Sequence, residues 1–506
     1  MRGPSASHCA ASVRIGKIAR ELMDGKIKEI LIEFDPHGSL ATTHESQGSD
    51  MGLFAGLLGW DATDERLADS TNAIKEAGIK INIKIRDYGT RHPNTYKLTL
   101  ISETEHHEMT AISTGGGMIE ILEIDEVEVS IAGDYFETLI YLEEDFNKVF
   151  NYLSININAD NLLLLKGVKH QFIEIKSQKF LTPEFVSDLH SKFKIKNIKA
   201  LSPVLQVLSK KNTEVPFITC REMLEYNADK NLSLWELAAR YESTRGNLAP
   251  GEVFNMMKDI VGIMGNSIRE GIEGSDYADR ILGNQSGTYK SRMESQQLLG
   301  DRLLNQMILY VTAIMETKSA MGIIVAAPTA GSCGGLPGAC IGAGRAMGLS
   351  SDEITRAMLA AGMIGIFIAA HSTFAAEVCG CQAECGAGSG MAAAALVTLN
   401  KGTLNQALSA ASMALQNTLG MICDPVANRV EVPCLGKNVL AASNAFACAN
   451  MALSDFDPVI PLDEVIETMD KVGKSIPGKL RCTAMGGLSI TKTSKEIEKR
   501  LNQINK

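Results

Sequence analysis

The sequence predicts a multidomain protein: an N-terminal α+β domain, a small βαββαβ domain, and a C-terminal all-α domain with buried central helices. Three observations predict it. Period-two apolar runs alternate with a helical run in the first 135 residues, and residues 136–208 show a second strand and helix rhythm. From about residue 222 onward the periodicity is helical, over stretches nearly free of charge. The predicted boundaries are 1–135, 136–208, a linker at 209–225, and 226–506.

In the first domain, IKEILIEFD (27–35) reads as a strand and DERLADSTNAIKEAGIK (64–80) as a helix closed by Gly78. KINIKIRDY (80–88), YKLTLISE (96–103) and MIEILEIDEVEVSIAG (118–133) alternate as strands do. The second domain runs FETLIYLEE (strand), DFNKVFNYL (helix), ADNLLLLKG and HQFIEIKS (strands), PEFVSDLHSKF (a helix opened by Pro183) and IKALSPVLQVL (strand). That order is the split βαβ pattern.

In the third domain, LSLWELAARYE (232–242), EVFNMMKDIVGIMGNSIREGIEG (252–274) and DEVIETMDKVGKSI (463–476) are amphipathic helices, the last stopped with the help of Pro477. No formal charge lies between Lys318 and Arg345, and only Glu377 and Glu384 lie between Arg356 and Lys401. Residues 357–376 carry no charge and reach the ~20 residues of a membrane span. His371, Ser372 and Thr373 interrupt the run, and Ala and Gly outweigh Leu and Ile, so a central core helix is expected.

At 506 residues and about 100–200 per domain, two to four domains fit. The net charge of −10, without a Lys/Arg stripe, argues against a nucleic-acid partner. Eleven cysteines are too few for a disulfide scaffold, and MRGPSASHCAASVRIG has no apolar signal core. A reducing cytoplasm follows as the expectation, where clustered thiols point to metal binding or catalysis.

Cys381, Cys423 and Cys434 form no CxxC pair with one another, so a zinc ribbon fits poorly. Pro425 and Pro433 near Cys423 and Cys434, and Gly380, Gly386 and Gly388 around Cys381, break helices. Such irregular backbone exposes N–H groups that can bond to sulfide. Three thiolates on a cubane leave one iron open as a Lewis acid, whereas a fourth from Cys379, Cys385 or Cys482 closes it. The plain alternative is buried free thiols.

Several segments carry a resemblance: GPSASH (3–8), GSLATT (38–43), HPNT (92–95), STGGGMIEI (113–121), AAPTAGSCG (326–334), GCQAE (380–384), GMAAAA (390–395), CDPVAN (423–428), VEVPC (430–434) and GGLS (486–489). In this order they resemble the iron–sulfur-dependent L-serine dehydratases (L-serine ammonia-lyases), over nearly the whole chain, with the β and α parts of that family fused. The resemblance implies a [4Fe-4S] cluster on Cys381, Cys423 and Cys434, with one open iron. It also implies an ACT-like role for the βαββαβ domain, where many relatives carry an ACT domain. Its turn LEEDFNK lacks the glycine of effector-binding ACT domains, which favours a spacer or oligomerisation role.

The implied reaction eliminates the β-substituent of an amino acid, L-serine giving pyruvate and ammonia in amino-acid catabolism and gluconeogenesis. Ser5, Ser7, His8, Thr329 and Ser332 are expected to line the pocket, His8 as a catalytic residue, with Gln47 and Ser49 binding substrate. Where relatives read GHGTD this chain has QGSD (47–50), so Gln47 replaces a histidine. Where they read NASISGA it has HSTFAAE (371–377), which puts His371 in place of an asparagine and Ala375 in place of a serine. GPSASH begins at residue 3, without the leading strand of relatives.

These departures point to His371 as a relocated base, with His44 as the second choice; a plain core histidine is the alternative for His371. They also admit another β-hydroxy or β-thiol amino acid as substrate, or an iron–sulfur regulatory protein without catalysis. The expected assembly is a homodimer acting on a small amino acid, with neither nucleic acid nor membrane as partner.

Overall fold

A computed structural model describes residues 1–211 and 213–504; Asn212 of the expected linker, and Asn505 and Lys506 of the expected helical domain, lie outside the described residues. The N-terminal domain is built on six strands: β1 Glu29–Phe34, β2 Lys80–Ile85, β3 Thr95–Ile101, β4 His106–Gly115, β5 Met118–Ile124 and β6 Val127–Ile131. Their order is β2-β1-β3-β4-β5-β6. β1 and β2 are parallel, which demands a crossover, and helix Ser70–Glu76 lies on it. The other neighbours are antiparallel.

Helix Ala11–Leu22, which the sequence reading did not include, carries Ile15, Ile18 and Leu22 at helical spacing into one core with Ile30, Ile32 and Leu98. Two predicted elements differ. The helix expected over 64–80 contracts to a 3₁₀ turn, Glu65–Asp69, and Ser70–Glu76. The strand expected over 118–133 is two strands, because Asp125 and Glu126 both take positive φ (54° and 63°) and turn the chain as a two-residue hairpin.

The second domain follows the predicted order: β7 Phe136–Leu142, helix Phe146–Asn156, β8 Asn161–Lys166, β9 Gln171–Ser177, helix Pro183–Lys192 and β10 Ile195–Leu201. Its antiparallel sheet has the order β10-β7-β9-β8. On one face Ile140, Ile173 and Ile175 meet Val149, Leu153 and Leu189 of the two helices. The other face sends Leu139, Tyr141, Phe172 and Leu201 into the core of the first domain. Lys199, fully buried, ties the two together through Asp24 (2.9 Å) and Glu105 (2.8 Å). β10 ends at Leu201, short of the run predicted to 208, and Pro203 has no N–H to extend the ladder.

Helix Cys220–Asn227 starts within the expected linker, opened by a Thr219/Glu222 capping box. Beyond it the chain is helical. At its centre lies Cys385–Leu399, whose small residues admit close neighbours: Gly335–Ala346, Ser351–His371, Leu404–Gln416 and Cys434–Leu453. Ser351–His371 is the one helix among the described residues long and apolar enough to cross a membrane. Of that apolar window, 67% is buried inside the protein, as in a core helix.

Candidate active site

Three separate segments bring the predicted thiols into the helical domain's interior. Gly380, at φ 71°, turns the chain into a 3₁₀ turn headed by Cys381; a Cβ at Gly380 would lie 2.7 Å from the Met421 carbonyl. Cys423 lies on extended backbone, with its N–H to Leu480 O (2.8 Å) and its carbonyl accepting from Cys482 N–H (2.9 Å). Cys434 opens helix Cys434–Leu453 directly after Pro433. Each of the three is at most 6% exposed.

Cys385 and Cys482 join them: Cys381, Cys385, Cys423 and Cys482 share one buried cluster, and Cys434 lies within electrostatic reach of Cys381. Interaction with the Cys385 thiol brings Cys381 down to about 7 against the effect of burial, helped by the Lys437 ammonium. Burial disfavours the Lys437 charge, but the Cys381 and Cys423 thiols and the Asp424 carboxylate raise its pKa nonetheless. Its Nζ bonds Ile422 O (2.7 Å) and Asp424 Oδ1 (3.0 Å). Burial is the main cause that pushes Cys434 up; the Cys381 and Glu384 charges add to it, while the Lys318 and Lys437 ammonium groups oppose it.

The donor set is therefore the three predicted thiols, with Cys385 and Cys482 beside them, next to a fixed cation, which suits a thiolate-held, anionic iron–sulfur group. Among the described residues the one trio of ligating atoms gathered within 4.8 Å is Asp35, His37 and Asp87, so the thiols are spaced wider than the ligands of a single ion.

Against this region the N-terminal domain sets a polar network. Ser5 caps a π-helical turn, Ala6–Ala10, that points Ser7 and His8 inward. His8 Nδ1 lies 3.1 Å from Ser5 Oγ, 3.2 Å from Ser7 Oγ and 3.4 Å from Glu377 Oε1 of the helical domain. His8 Nε2 is 2.8 Å from Thr43 Oγ1, whose single hydrogen is already given to the Ser39 carbonyl at 2.7 Å. The Nε2–H therefore donates to Thr43, and Nδ1 is left as an acceptor facing Glu377. Burial lowers the His8 pKa, which favours the neutral ring. Ser7 Oγ donates to Glu377 Oε1 at 2.9 Å.

Several buried polar atoms around this joint lack hydrogen-bond partners: Glu377 Oε2, both amide atoms of Asn94, Ser113 Oγ and Arg481 Nε. Glu377 and Arg481 line a cleft of about 270 Å³ between the domains. The domains close on each other where Gly115 pairs with Phe374 and Thr373 Oγ1 donates to Thr114 O (3.1 Å). Gly115 has φ 107°, and a Cβ there would lie 2.6 Å from Ala375 N, so the GGG run lets two backbones touch.

The other predicted residues have these partners. Thr329 Oγ1 donates to Glu384 Oε1 (2.6 Å) and meets Ser332 Oγ (3.1 Å). Burial, with the Cys381 charge, pushes Glu384 up to about 8. Gln47 Nε2 donates to Asn428 Oδ1 (2.9 Å) and to Cys482 Sγ (3.5 Å), which puts it beside the thiols. Ser49 Oγ is engaged with Tyr96 OH (2.8 Å).

His371 is exposed at the end of its helix and has no side-chain hydrogen bond among the described residues; it does not join the His8 network. His44 is held by Asp50 (2.7 Å) and lines a separate polar cleft of about 370 Å³. Sequence reasoning passed over Glu377, Glu384, Asn94, Ser113 and Lys437. A signal was there: Glu377 and Glu384 are the only charges between Arg356 and Lys401, and charges in so apolar a stretch are costly unless used.

The family described as serine dehydratase alpha chain matches residues 229–489. The probable L-serine dehydratase alpha chain of Bacillus subtilis (strain 168) is 34% identical over 285 residues, covering 56% of this chain and 95% of the relative. The L-serine dehydratase alpha chain of Peptoniphilus asaccharolyticus is 35% identical over 283 residues, 56% of this chain and 97% of the relative. The L-serine dehydratase of Helicobacter pylori (strain ATCC 700392 / 26695) is similar along almost all of both chains: 26% identical over 505 residues, 97% of this chain and 96% of the relative.

Proposed function

The chain belongs to the serine dehydratase alpha chain family, and on that premise we propose that it is an L-serine ammonia-lyase converting L-serine to pyruvate and ammonia. The observation that carries the reading is the joint itself: a buried His8 with its Nδ1 turned toward Glu377, among buried polar groups that lack partners. Unpartnered buried groups cost roughly 1–3 kcal/mol each, which a polar ligand would recover.

Glu377 Oε2 receives the substrate ammonium, and the Asn94 amide and Ser113 hydroxyl bond its carboxylate. Ser5 Oγ donates to His8 Nδ1 and holds the ring in register, while Ser7 gives its hydroxyl proton to Glu377. His8 Nδ1 takes the α-proton, while Thr43 keeps the opposite nitrogen protonated. A base so placed contributes roughly 10²–10⁴-fold. Cys381, Cys423 and Cys434 would hold a [4Fe-4S] cluster, which when bound supplies a Lewis acid for the departing β-hydroxyl. The enamine left by elimination tautomerises and hydrolyses in water to pyruvate and ammonia. In the same reading the βαββαβ domain is an ACT-like unit, a reading supported by its antiparallel sheet with both helices on one face.

The test is turnover of anaerobically purified protein with L-serine, L-threonine and L-cysteine, reading 2-oxoacid and ammonia together. Equal release of both from L-serine supports the assignment. Release from none of the three, by protein with its full iron content, rejects it.

A further inference from the structure

The GGLS segment (486–489) has no task in the proposed reaction, yet the structure ties it to the thiols through two charged side chains, Asp424 and Lys437. Lys437 stands one turn past Cys434 on helix Cys434–Leu453. Its Nζ donates to the Ile422 carbonyl and to Asp424 Oδ1, and these two residues are the neighbours of Cys423 on either side. Asp424 Oδ2 accepts the Leu488 N–H at 2.9 Å. At Gly487, φ 59°, a Cβ would lie 2.5 Å from that same oxygen, so the carboxylate reaches this backbone because a glycine stands there.

One ammonium therefore joins the segments that carry Cys423 and Cys434, and one carboxylate extends the tie to GGLS. Cys381, from the third segment, lies with Cys423 within electrostatic reach of the ammonium. An ammonium has three N–H donors. Two go to Ile422 and Asp424, and the third has no acceptor among the described residues. The pair is largely buried, the Lys437 side chain 17% exposed and that of Asp424 6%. A buried ion pair is weak evidence for stability, because desolvation offsets the attraction. Its field acts on what lies beside it: nearby charge and N–H donors tune the reduction potential of an iron–sulfur group.

We propose that Lys437 is a positioning residue for the iron–sulfur group, its ammonium holding the backbone on both sides of Cys423 against the helix of Cys434 and setting the charge at the ligand sulfurs, with Asp424 as its counter-charge. The inference rests on the reading of Cys381, Cys423 and Cys434 as cluster ligands. A cation beside the sulfurs favours an added electron, and an anion opposes it. Loss of Lys437 and loss of Asp424 therefore move the reduction potential in opposite directions, although both break the same ion pair.

The experiment is a redox titration of the anaerobically purified full chain, followed by electron paramagnetic resonance, with iron and acid-labile sulfide measured on the same samples. Unaltered protein is compared with Lys437→Met and Asp424→Asn, and the melting temperature of each variant certifies its fold. Lys437→Met is expected to shift the midpoint to lower potential and to hold less iron per chain. Asp424→Asn is expected to shift the midpoint to higher potential.

Loosening of the fold alone predicts iron loss in both variants without opposed shifts. The proposal is overturned by midpoints that stay where they are in the unaltered protein, or that move in the same direction in both variants. If Lys437→Met holds too little iron to titrate, Asp424→Asn decides, and a midpoint that does not rise in that variant overturns the proposal. Unaltered protein that carries no iron rejects instead the ligand reading on which the proposal stands.

Discussion

His8 Nδ1 and Glu377 Oε1 lie 3.4 Å apart, one from the first turn of the chain and the other from the helical domain. Both side chains are almost fully buried; Thr43 fixes His8 from behind, and Ser7, next to His8 in the chain, bonds the same Glu377 oxygen. The contact exists only when the domains are closed on each other, so the site is a property of their joint.

Different defects follow for the two residues. His8→Asn keeps a polar, though smaller, side chain but removes the basic nitrogen; kcat with L-serine is expected to fall about 10²–10⁴-fold with little change in KM. Glu377→Gln removes the charge that meets the substrate ammonium, and there the rise is expected in KM. Steady-state kinetics of the two variants separates the roles, and a Glu377→Gln enzyme with unchanged KM would remove Glu377 from substrate binding.

The thiols divide in the same testable way. Cys381→Ser, Cys423→Ser and Cys434→Ser are each expected to lose iron, acid-labile sulfide and the broad visible absorbance of anaerobically isolated protein. Cys379→Ser is expected to keep all three, because Cys379 Sγ is turned to Asp470 (3.8 Å from Oδ1). Full iron content in any of the first three variants would break the ligand assignment.

Much of this was legible in the sequence, for reasons that differ from residue to residue. Cys423 and Cys434 stood out because prolines make their backbone irregular, and irregular backbone in an apolar domain usually serves a site. The βαββαβ order was legible because period-two and helical runs alternate cleanly. Glu377 was legible only as a charge in an apolar run; nothing local says that it faces a histidine from the other end of the chain. His371 drew attention as a replacement in a motif, yet its helix carries it out to solvent. The hairpin at Asp125 and Glu126 lacks the glycine that would have announced it.

Gly115 reports on closure of the joint without touching the chemistry. Gly115→Ala puts a Cβ 2.6 Å from Ala375 N on backbone already at φ 107°, a conformation that costs an L-residue roughly 1–3 kcal/mol before any clash. A lower melting temperature is expected, together with a fall in kcat/KM as the domains are held apart. Scanning calorimetry and kinetics on the same sample check this; an unchanged melting temperature would mean that the backbones do not meet there.

Stability should also depend on pH through Glu137. Burial is the main cause that moves its pKa from the ordinary 4.5 up to about 8, and Lys176 offsets only part of it. Between these two values the folded chain keeps a proton that the unfolded chain has released, so stability falls as pH rises. The effect is absent below pH 4.5 and complete above pH 8, with a slope of at most about 1.4 kcal/mol per pH unit. Glu137→Gln removes the titration, so its melting temperature should gain on that of the unaltered protein steadily from pH 5 to pH 8. Melting curves that stay parallel over that range would show that Glu137 is ionised in the folded chain throughout, with Lys176 sufficient to hold its charge.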